Sequence, residues 1–505
     1  MKAKYLLIAI GLFLLPVLAR TLWYYQGIYT PSKNLQTPDF LSIEITNPEL
    51  STPFVSDAVN TGETNTVVFD LAHANQYQIS EIEILIDDLK YRGAEIVTLD
   101  EGEDLNTLLK GASAFVSIAP TMNFTEDEIQ QIQVFVERGG RLLVIADPTR
   151  SSSEYAISRV ESVQVANKLL EPYQITFRND YAYNVYDHEG NFRNVFLQPE
   201  DENGLTNNVG EIVFYAARTI SSYELNVMAG NENTLSSLTD TGGNLCLVAL
   251  SEENVLAMGD FTFLTSPYYQ VADNYQFITN ISQFLINSER QKTLDDFPYV
   301  FSRPIGILAS DKIVLDQDLL EQISNLKEMY TQQDLPVEFL ESDNEEYDLI
   351  VLGLIPPDQT IQTYLTGFDV QFGSQTRSTA VPKTTPSATV NAEAELSATL
   401  EPTPSPLRSG QVYIEGFGQV SQNDFGFFFL KTENDRTTLI ILSDNQDDLV
   451  DLLALLANGS LESCFMENNI ALCEQNNTGW KPTSTPSIEV EETLEATPTL
   501  AVEIE

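Results

Sequence analysis

The sequence predicts an α/β fold in which a parallel sheet is covered by helices on both faces, followed by a second, smaller α/β domain. Three observations carry this. Between Val67 and Pro148, four short apolar runs alternate with segments of helical period, the pattern of successive βα units. The first and fourth runs lead into Asp70 and Asp147, as buried parallel strands lead into polar turns. A further strand–helix–strand alternation begins near Arg303.

The elements follow in order. Val67 to Phe69 is the first strand and ends at Asp70. Ser80 stands in an N-cap position before Ile82, Leu85, Ile86 and Leu89, which recur at helical spacing until Gly93. Ala94 to Leu99 gives the second strand, Leu105, Leu108 and Leu109 a short helix, and Ala114 to Ala119 the third strand. Thr125 with Glu128 forms a capping box, opening a helix through Ile129, Ile132, Phe135 and Val136. Gly139-Gly140 stops it, and Arg141 to Ala146 is the fourth strand. Residues 151–245 contribute one helix, SVQVANKLLEPY, and several alternating segments whose order in the sheet stays open. His188, in YDHEGNF, falls in a hairpin turn and is expected to be exposed. Asn254 to Met258 is another strand, running into Asp260. Asp273 and Asn274 precede a helix with apolar Phe277, Ile278, Ile281, Phe284 and Leu285.

The domain spanning 65–290 gives way to a smaller one at 300–460. Its strands are PIGILAS, VEFL and DLIVLGLI, with Leu319, Leu320, Ile323 and Leu326 on one side of the intervening helix. Residues 373–408 are rich in Thr, Ser, Pro and Ala, a composition too poor in apolar surface to order itself. Structure resumes at GQVYIEGFGQV, FGFFFLKT and TTLIILSD and ends in the helix DDLVDLLALLANG. Residues 481–505 read as a disordered acidic tail of Thr-Pro-Glu style. In the segment 461–480, read as irregular, Cys464 and Cys473 are disulfide candidates, which leaves Cys246 as a buried strand thiol. Three cysteines suit an exported protein.

The N-terminus is a targeting segment, residues 1–25. Lys2 and Lys4 precede an apolar run from Tyr5 to Ala19 of about 15 residues, a signal-peptide length, with Val17-Leu18-Ala19 a possible cleavage site. Trp23, Tyr24 and Tyr25 form an interfacial aromatic belt and bring the segment near the ~20 residues of a spanning helix, which favours a retained anchor. In both cases the body is extracytoplasmic and residues 26–64, rich in Pro, Thr and Asn, form a stalk. The formal charge of −48, from 74 acidic against 26 basic residues, opposes nucleic-acid binding, which requires cations to displace phosphate counterions.

Ligands of parallel sheets bind beyond the carboxyl ends of the strands. That places Asp70, His73, Asn75, Asp147, Asp260 and Asn274 as ligand-binding candidates, with Asp70, Asp147 and Asp260 on one edge if the sheet is continuous. An Asp/His pair can hydrogen-bond a ligand or act as acid and base. The favoured reading is structural, with the pair capping the following helix or satisfying loop backbone groups, and no metal ligand set or cofactor motif is assigned: there is no Gly-x-Gly-x-x-Gly, Walker loop, His-Glu-x-x-His or Gly-x-Ser-x-Gly.

At DLAHANQY, ERGGRLLVIADP and MGDFTFLT…DNYQFITN the chain resembles the bacterial domain of unknown function 4350. The resemblance covers residues 60–290 and implies a flavodoxin-like core related to class I glutamine amidotransferases. The same stretches are similar to extracytoplasmic auxiliary subunits of gliding-motility-type ABC transporters. Amidotransferases of this fold carry a Cys at the turn after the strand matching Arg141 to Ala146. Here the turn reads Ala146-Asp147-Pro148, and thioester chemistry requires a thiolate. The expectation is therefore a membrane-tethered extracytoplasmic binding or accessory protein, not an enzyme, partnered with an ABC-type transporter or another envelope complex. The alternatives are a hydrolase or metal-dependent enzyme using Asp70, His73 and Asp260, and a cell-surface structural module.

Overall fold

The computed structural model describes residues 2–24, 65–150, 162–200, 202–222, 226–239, 242–251, 254–373, 407–434, 436–459, 461 and 463–475. The expected stalk, the acidic tail and all but the ends of the 373–408 insertion lie outside the described residues. The chain divides into two units. In Met1–Ala58 the described part is one helix, α1 (Lys2–Tyr24), in which Ala3–Trp23 is long and apolar enough to cross a membrane.

Val59–Glu505 holds both α/β domains. The first opens with β1 (Thr66–Asp70), α2 (Glu83–Tyr91), β2 (Glu95–Leu99), α3 (Leu105–Gly111), β3 (Ala112–Ile118), α4 (Glu126–Glu137), β4 (Arg141–Ile145) and α5 (Ser162–Leu170). It continues with β5 (Ile175–Phe177), β6 (Ala182–Tyr183), β7 (Asn194–Pro199), β8 (Ile212–Tyr215), β9 (Ile220–Ser222), β10 (Asn226–Gly230), β11 (Leu235–Ser236), β12 (Cys246–Ser251), β13 (Val255–Met258) and α6 (Asn274–Ile286). The nine-stranded sheet runs β2-β1-β3-β4-β13-β12-β10-β7-β8. Its first five strands are parallel and follow the winding of flavodoxin-like sheets; the last four are antiparallel.

Period-two alternation separates the two faces. Val67 and Phe69 of β1 pack with Leu85 and Leu89 of α2 and Phe277 and Ile281 of α6. Val68, Phe115 and Val144 face Leu105, Phe135 and Leu169 of α3, α4 and α5. Two details differ from expectation. Ser80 does not cap α2: the helix is entered through a tight turn at Ile79–Ile82, where the Glu81 carboxylate accepts the Gln78 N–H at 2.9 Å. His188 is half-buried, because its backbone bridges to Val195.

The second domain comprises β14 (Ile305–Ala309), α7 (Gln317–Thr331), β15 (Val337–Phe339), β16 (Asp348–Leu354), α8 (Gln359–Tyr364), β17 (Val370–Phe372), β18 (Gln411–Ile414) and β19 (Gly418–Ser421). Then come β20 (Phe425–Glu433), β21 (Arg436–Ser443), α9 (Gln446–Ala457), β22 (Phe465–Glu467) and β23 (Ile470–Glu474). Its seven-stranded sheet runs β15-β14-β16-β21-β20-β23-β22. The segment around Cys464 and Cys473 is not irregular: β22 and β23 form a hairpin, β23 pairs with β20, and Ala471 and Cys473 complete the core. The expected disulfide joins Cys464 and Cys473, and burial pushes the Cys246 thiol up to about 12.

An ionic latch holds the two domains. Asp296, wholly buried, accepts from both Arg138 Nη atoms at 3.0 and 3.1 Å and from Arg290 Nη2. Arg290 Nη1 in turn donates to the carbonyls of Leu109, Lys110 and Ala112 at the end of α3, and its guanidinium lies over the Phe135 ring. Burial lowers the Arg290 pKa to about 10 despite the Asp296 charge.

Candidate functional site

The winding reverses between β1 and β3, and the crevice at their carboxyl ends is where such sheets hold ligands. Here protein groups fill it. Asp70, the last residue of β1, is fully buried; its Oδ1 lies 2.7 Å from His73 Nδ1. Its Oδ2 accepts from Ser117 Oγ at 2.7 Å and Asn75 Nδ2 at 3.1 Å. Asn75 Nδ2 also donates to the Ile118 carbonyl, and its Oδ1 accepts the His73 N–H. The Tyr77 hydroxyl donates to the Asp70 carbonyl at 3.2 Å. Ala74 and Ala119 adopt φ of 49° and 45°, left-handed turns that fold the two loops together, and the His73 carbonyl receives the Thr121 and Met122 N–H groups.

His73 is 2 % exposed, its ring stacked 3.6 Å from that of Phe124. Nε2 faces the Glu128 carboxylate at 3.5 Å, and the other Glu128 oxygen closes the Thr125 capping box. Burial pushes the imidazole pKa down, but the hydrogen bond and charge of Asp70, joined by Glu128, outweigh it and hold the pKa above 6.5. Stability linked to this proton is therefore full below 6.5 and is lost as pH rises through the folded-state value. An NMR titration of the intact protein should show His73 with its midpoint above 6.5, and Asp70→Asn should move it down; a midpoint at or below 6.5 in the parent would contradict the coupling of His73 to Asp70 and Glu128.

Asp147, Asp260 and Asn274 belong to a different arrangement. Asp147 Oδ1 accepts the N–H and hydroxyl of Thr149, both at 2.6 Å, and Oδ2 accepts the Phe261 N–H at 2.9 Å. Asp260 Oδ2 accepts the N–H of Tyr215 at 2.8 Å and of Phe263 at 3.3 Å, and Oδ1 that of Thr262. Burial, then the adjacent Asp147 carboxylate, raises the Asp260 pKa well above its usual value. Asn274 accepts from Val213 N and donates to Val213 O, and Asp273 Oδ2 accepts from Gly210 N and Glu211 N. The outward groups of Val213 and Tyr215 on the edge strand β8, and of Glu211 just before it, are thus met in turn by Asn274, Asp260 and Asp273. These side chains occupy the place of a tenth strand and close an edge that would otherwise recruit one. Gly259 permits the approach: a Cβ there would lie 2.1 Å from the Arg218 carbonyl, whose residue donates N–H to Gly259 O at 2.9 Å.

The structure brings Asp70, His73 and Asn75 together and sets Asp147 beside Asp260, whereas Asn274 serves β8. Tyr77 packs 5.9 Å from Phe261, and Arg150 bridges Glu81 to the Phe261 ring, so the two clusters adjoin. Neither Ala146 nor Asp147 has the positive φ of a strained nucleophile turn. Among the described residues, no group of three or more His, Cys, Asp or Glu side chains converges as a metal site requires. Sequence reasoning misses Ser117, Phe124, Tyr77 and the second role of Glu128. A lone Ser in an apolar strand carries no local signal, but Glu128 could have been paired with His73 through the capping helix that follows it.

No protein-family model matches the chain, and no curated protein matches it. Solved structures similar to it include the mmIFT52 N-terminal domain, with 17% identity and a TM-score of 0.37 over 45% of this chain and 100% of that one. A ThuA-like protein from Bacteroides uniformis gives 10% identity and 0.30 over 46% and 95%. Another from Parabacteroides merdae gives 8% and 0.28 over 45% and 92%. At these values the likeness carries nothing about activity.

Proposed function

We propose that this chain is a membrane-tethered extracytoplasmic accessory protein whose amidotransferase-like domain binds rather than catalyses, and that it serves an ABC-type transporter or a comparable envelope complex. The observation that carries the reading is the condition of the strand edge. Asp70, Asp147 and Asp260 are each buried and committed to internal hydrogen bonds, so none stands ready as a base or nucleophile. A hydrolase using Asp70, His73 and Asp260 would need them to converge, but Asp260 serves β8 while Asp70 and His73 serve each other. The tether is supported by α1, whose stretch Ala3–Trp23 is long and apolar enough to cross a membrane, and by the Cys464–Cys473 disulfide, which suits an oxidising compartment. The ABC-type partner rests on the resemblance of residues 60–290.

Affinity capture of the full chain from detergent-solubilised membranes should recover a transporter component in near-equal amount, and intact-mass measurement should find α1 retained. Capture that recovers no transporter or envelope component would sink the accessory role. A mature mass lacking residues 1–19 would sink the tether.

A further inference from the structure

The segment from β6 to β7 carries an aromatic cup that the strand-edge networks do not use. Tyr181, Tyr183, Val185, Phe192 and Ser237 line a depression of about 290 Å³. The Tyr183 ring lies 6.3 Å from both Tyr181 and Phe192. The Arg193 guanidinium stands over the Tyr181 ring at 4.8 Å and the Phe192 ring at 5.5 Å. Beside the cup in sequence, Tyr186 is 82% and Leu238 65% exposed, an apolar concentration that in soluble proteins marks a contact surface.

The Arg193 side chain is exposed. Arg92, Arg138, Arg150, Arg290 and Arg436 all pair with carboxylates. Arg193 rests on ring faces with no carboxylate partner among the described residues, in a chain where acidic residues outnumber basic ones by 74 to 26. A guanidinium seated on aromatic rings keeps its N–H groups free for an incoming carboxylate. Aromatic-lined depressions also take proline-containing extended peptides, whose stiff backbone costs little entropy to dock. The ligand chemistry is therefore an acidic, proline-containing peptide.

The chain supplies such a peptide. Residues 476–505 hold Pro482, Pro486 and Pro498 among Glu489, Glu491, Glu492 and Glu495. From Gln475 to Glu492 an extended chain spans up to roughly 55 Å at ~3.3 Å per residue. A body of this size has a radius of gyration of only roughly 20 Å. Tethering also supplies an effective concentration on the order of millimolar, so a contact of that weak affinity is occupied about half the time.

We infer that the cup binds the chain's own C-terminal segment 476–505, prolyl rings against Tyr181, Tyr183 and Phe192 and a glutamate carboxylate on Arg193. The test uses Trp480, which lies in this segment; the other tryptophan is Trp23. In full-length Trp23→Phe protein in detergent, acrylamide quenching of Trp480 should be weaker than in a free 476–505 peptide. Arg193→Ala should raise the quenching constant by about twofold, as expected when a charge-assisted contact leaves a half-occupied site. Combined Glu489→Gln, Glu491→Gln and Glu492→Gln should do the same, and adding Arg193→Ala to them should do nothing further. Circular dichroism confirms that each variant is folded. Equal quenching in parent, variants and free peptide overturns the inference. So does protection that survives both Arg193→Ala and Phe192→Ala, or protection that disappears on dilution, which would place the segment on another copy.

Discussion

Asp296→Ala is expected to destabilise the two-domain body by about 3–5 kcal/mol, the loss that follows when one partner of a buried ion pair is removed. Asp296 is fully buried and is the acceptor for both Arg138 and Arg290; its carboxylate also takes the Thr293 N–H at 2.9 Å. Without it, two guanidiniums face each other across a site that water reaches poorly, and the Arg290 side chain is only 4% exposed. The damage should also be visible as lost coupling. Arg138 and Arg290 belong to the first domain and its exit, and Asp296 leads into the second, so urea unfolding should change from one transition to two. Asp296→Asn, which keeps an acceptor but not the charge, should fall between parent and Ala. A single transition at the parental midpoint in the Ala variant would show that the domains are joined by something else.

The second large effect concerns Asp260. Asp260→Ala leaves the buried N–H groups of Tyr215 and Phe263, and the half-buried one of Thr262, without their acceptor, at about 1–3 kcal/mol for each group that water cannot reach. A total loss of about 3 kcal/mol or more is expected, with aggregation through the opened β8 edge. Asp260→Asn should be milder, because the amide oxygen still accepts at one of the two positions while its NH2 meets an N–H donor at the other. The sign follows from the raised pKa. Stability linked to the Asp260 proton is fully present below 3.8 and is lost as pH rises through the folded-state value. The Asn variant, which carries no such proton, should therefore gain on the parent as pH rises above 3.8 in paired urea titrations. An Asn variant that weakens relative to the parent as pH rises would mean that the Asp260 pKa is not raised.

The parallel half of the first sheet is legible in the sequence because its information is local. Each strand is an apolar run with its own stop, and Thr125 with Glu128 or Gly139 with Gly140 marks a helix end within a few residues. The Asp70–His73 contact is legible for the same reason, three positions separating the two. What stays hidden is non-local. Tyr215 and Asp260 are 45 positions apart, Val213 and Asn274 61, Arg138 and Asp296 158. Each carries the same local pattern whether it meets a ligand or a neighbouring backbone, so an edge-closing carboxylate looks like a binding-site carboxylate. The β22–β23 hairpin is a different kind of miss. Asn468-Asn469 between Phe465–Glu467 and Ile470–Glu474 is a two-residue turn signal, with Asn468 at φ 53°, and it was available locally.

The pairing of β4 with β13 has a consequence for how the chain matures. Arg141 and Asn254, whose side chains bond across that pairing, are 113 positions apart, and the four parallel strands before it are all complete by Ile145. At the ~5–20 residues per second of ribosomal synthesis, β4 waits on the order of 6–20 s for its neighbour. For that interval the nascent chain presents Leu142 to Ile145 as an open ladder. Until β13 is made, β4 is an unfilled edge of the growing sheet, well before the second domain exists.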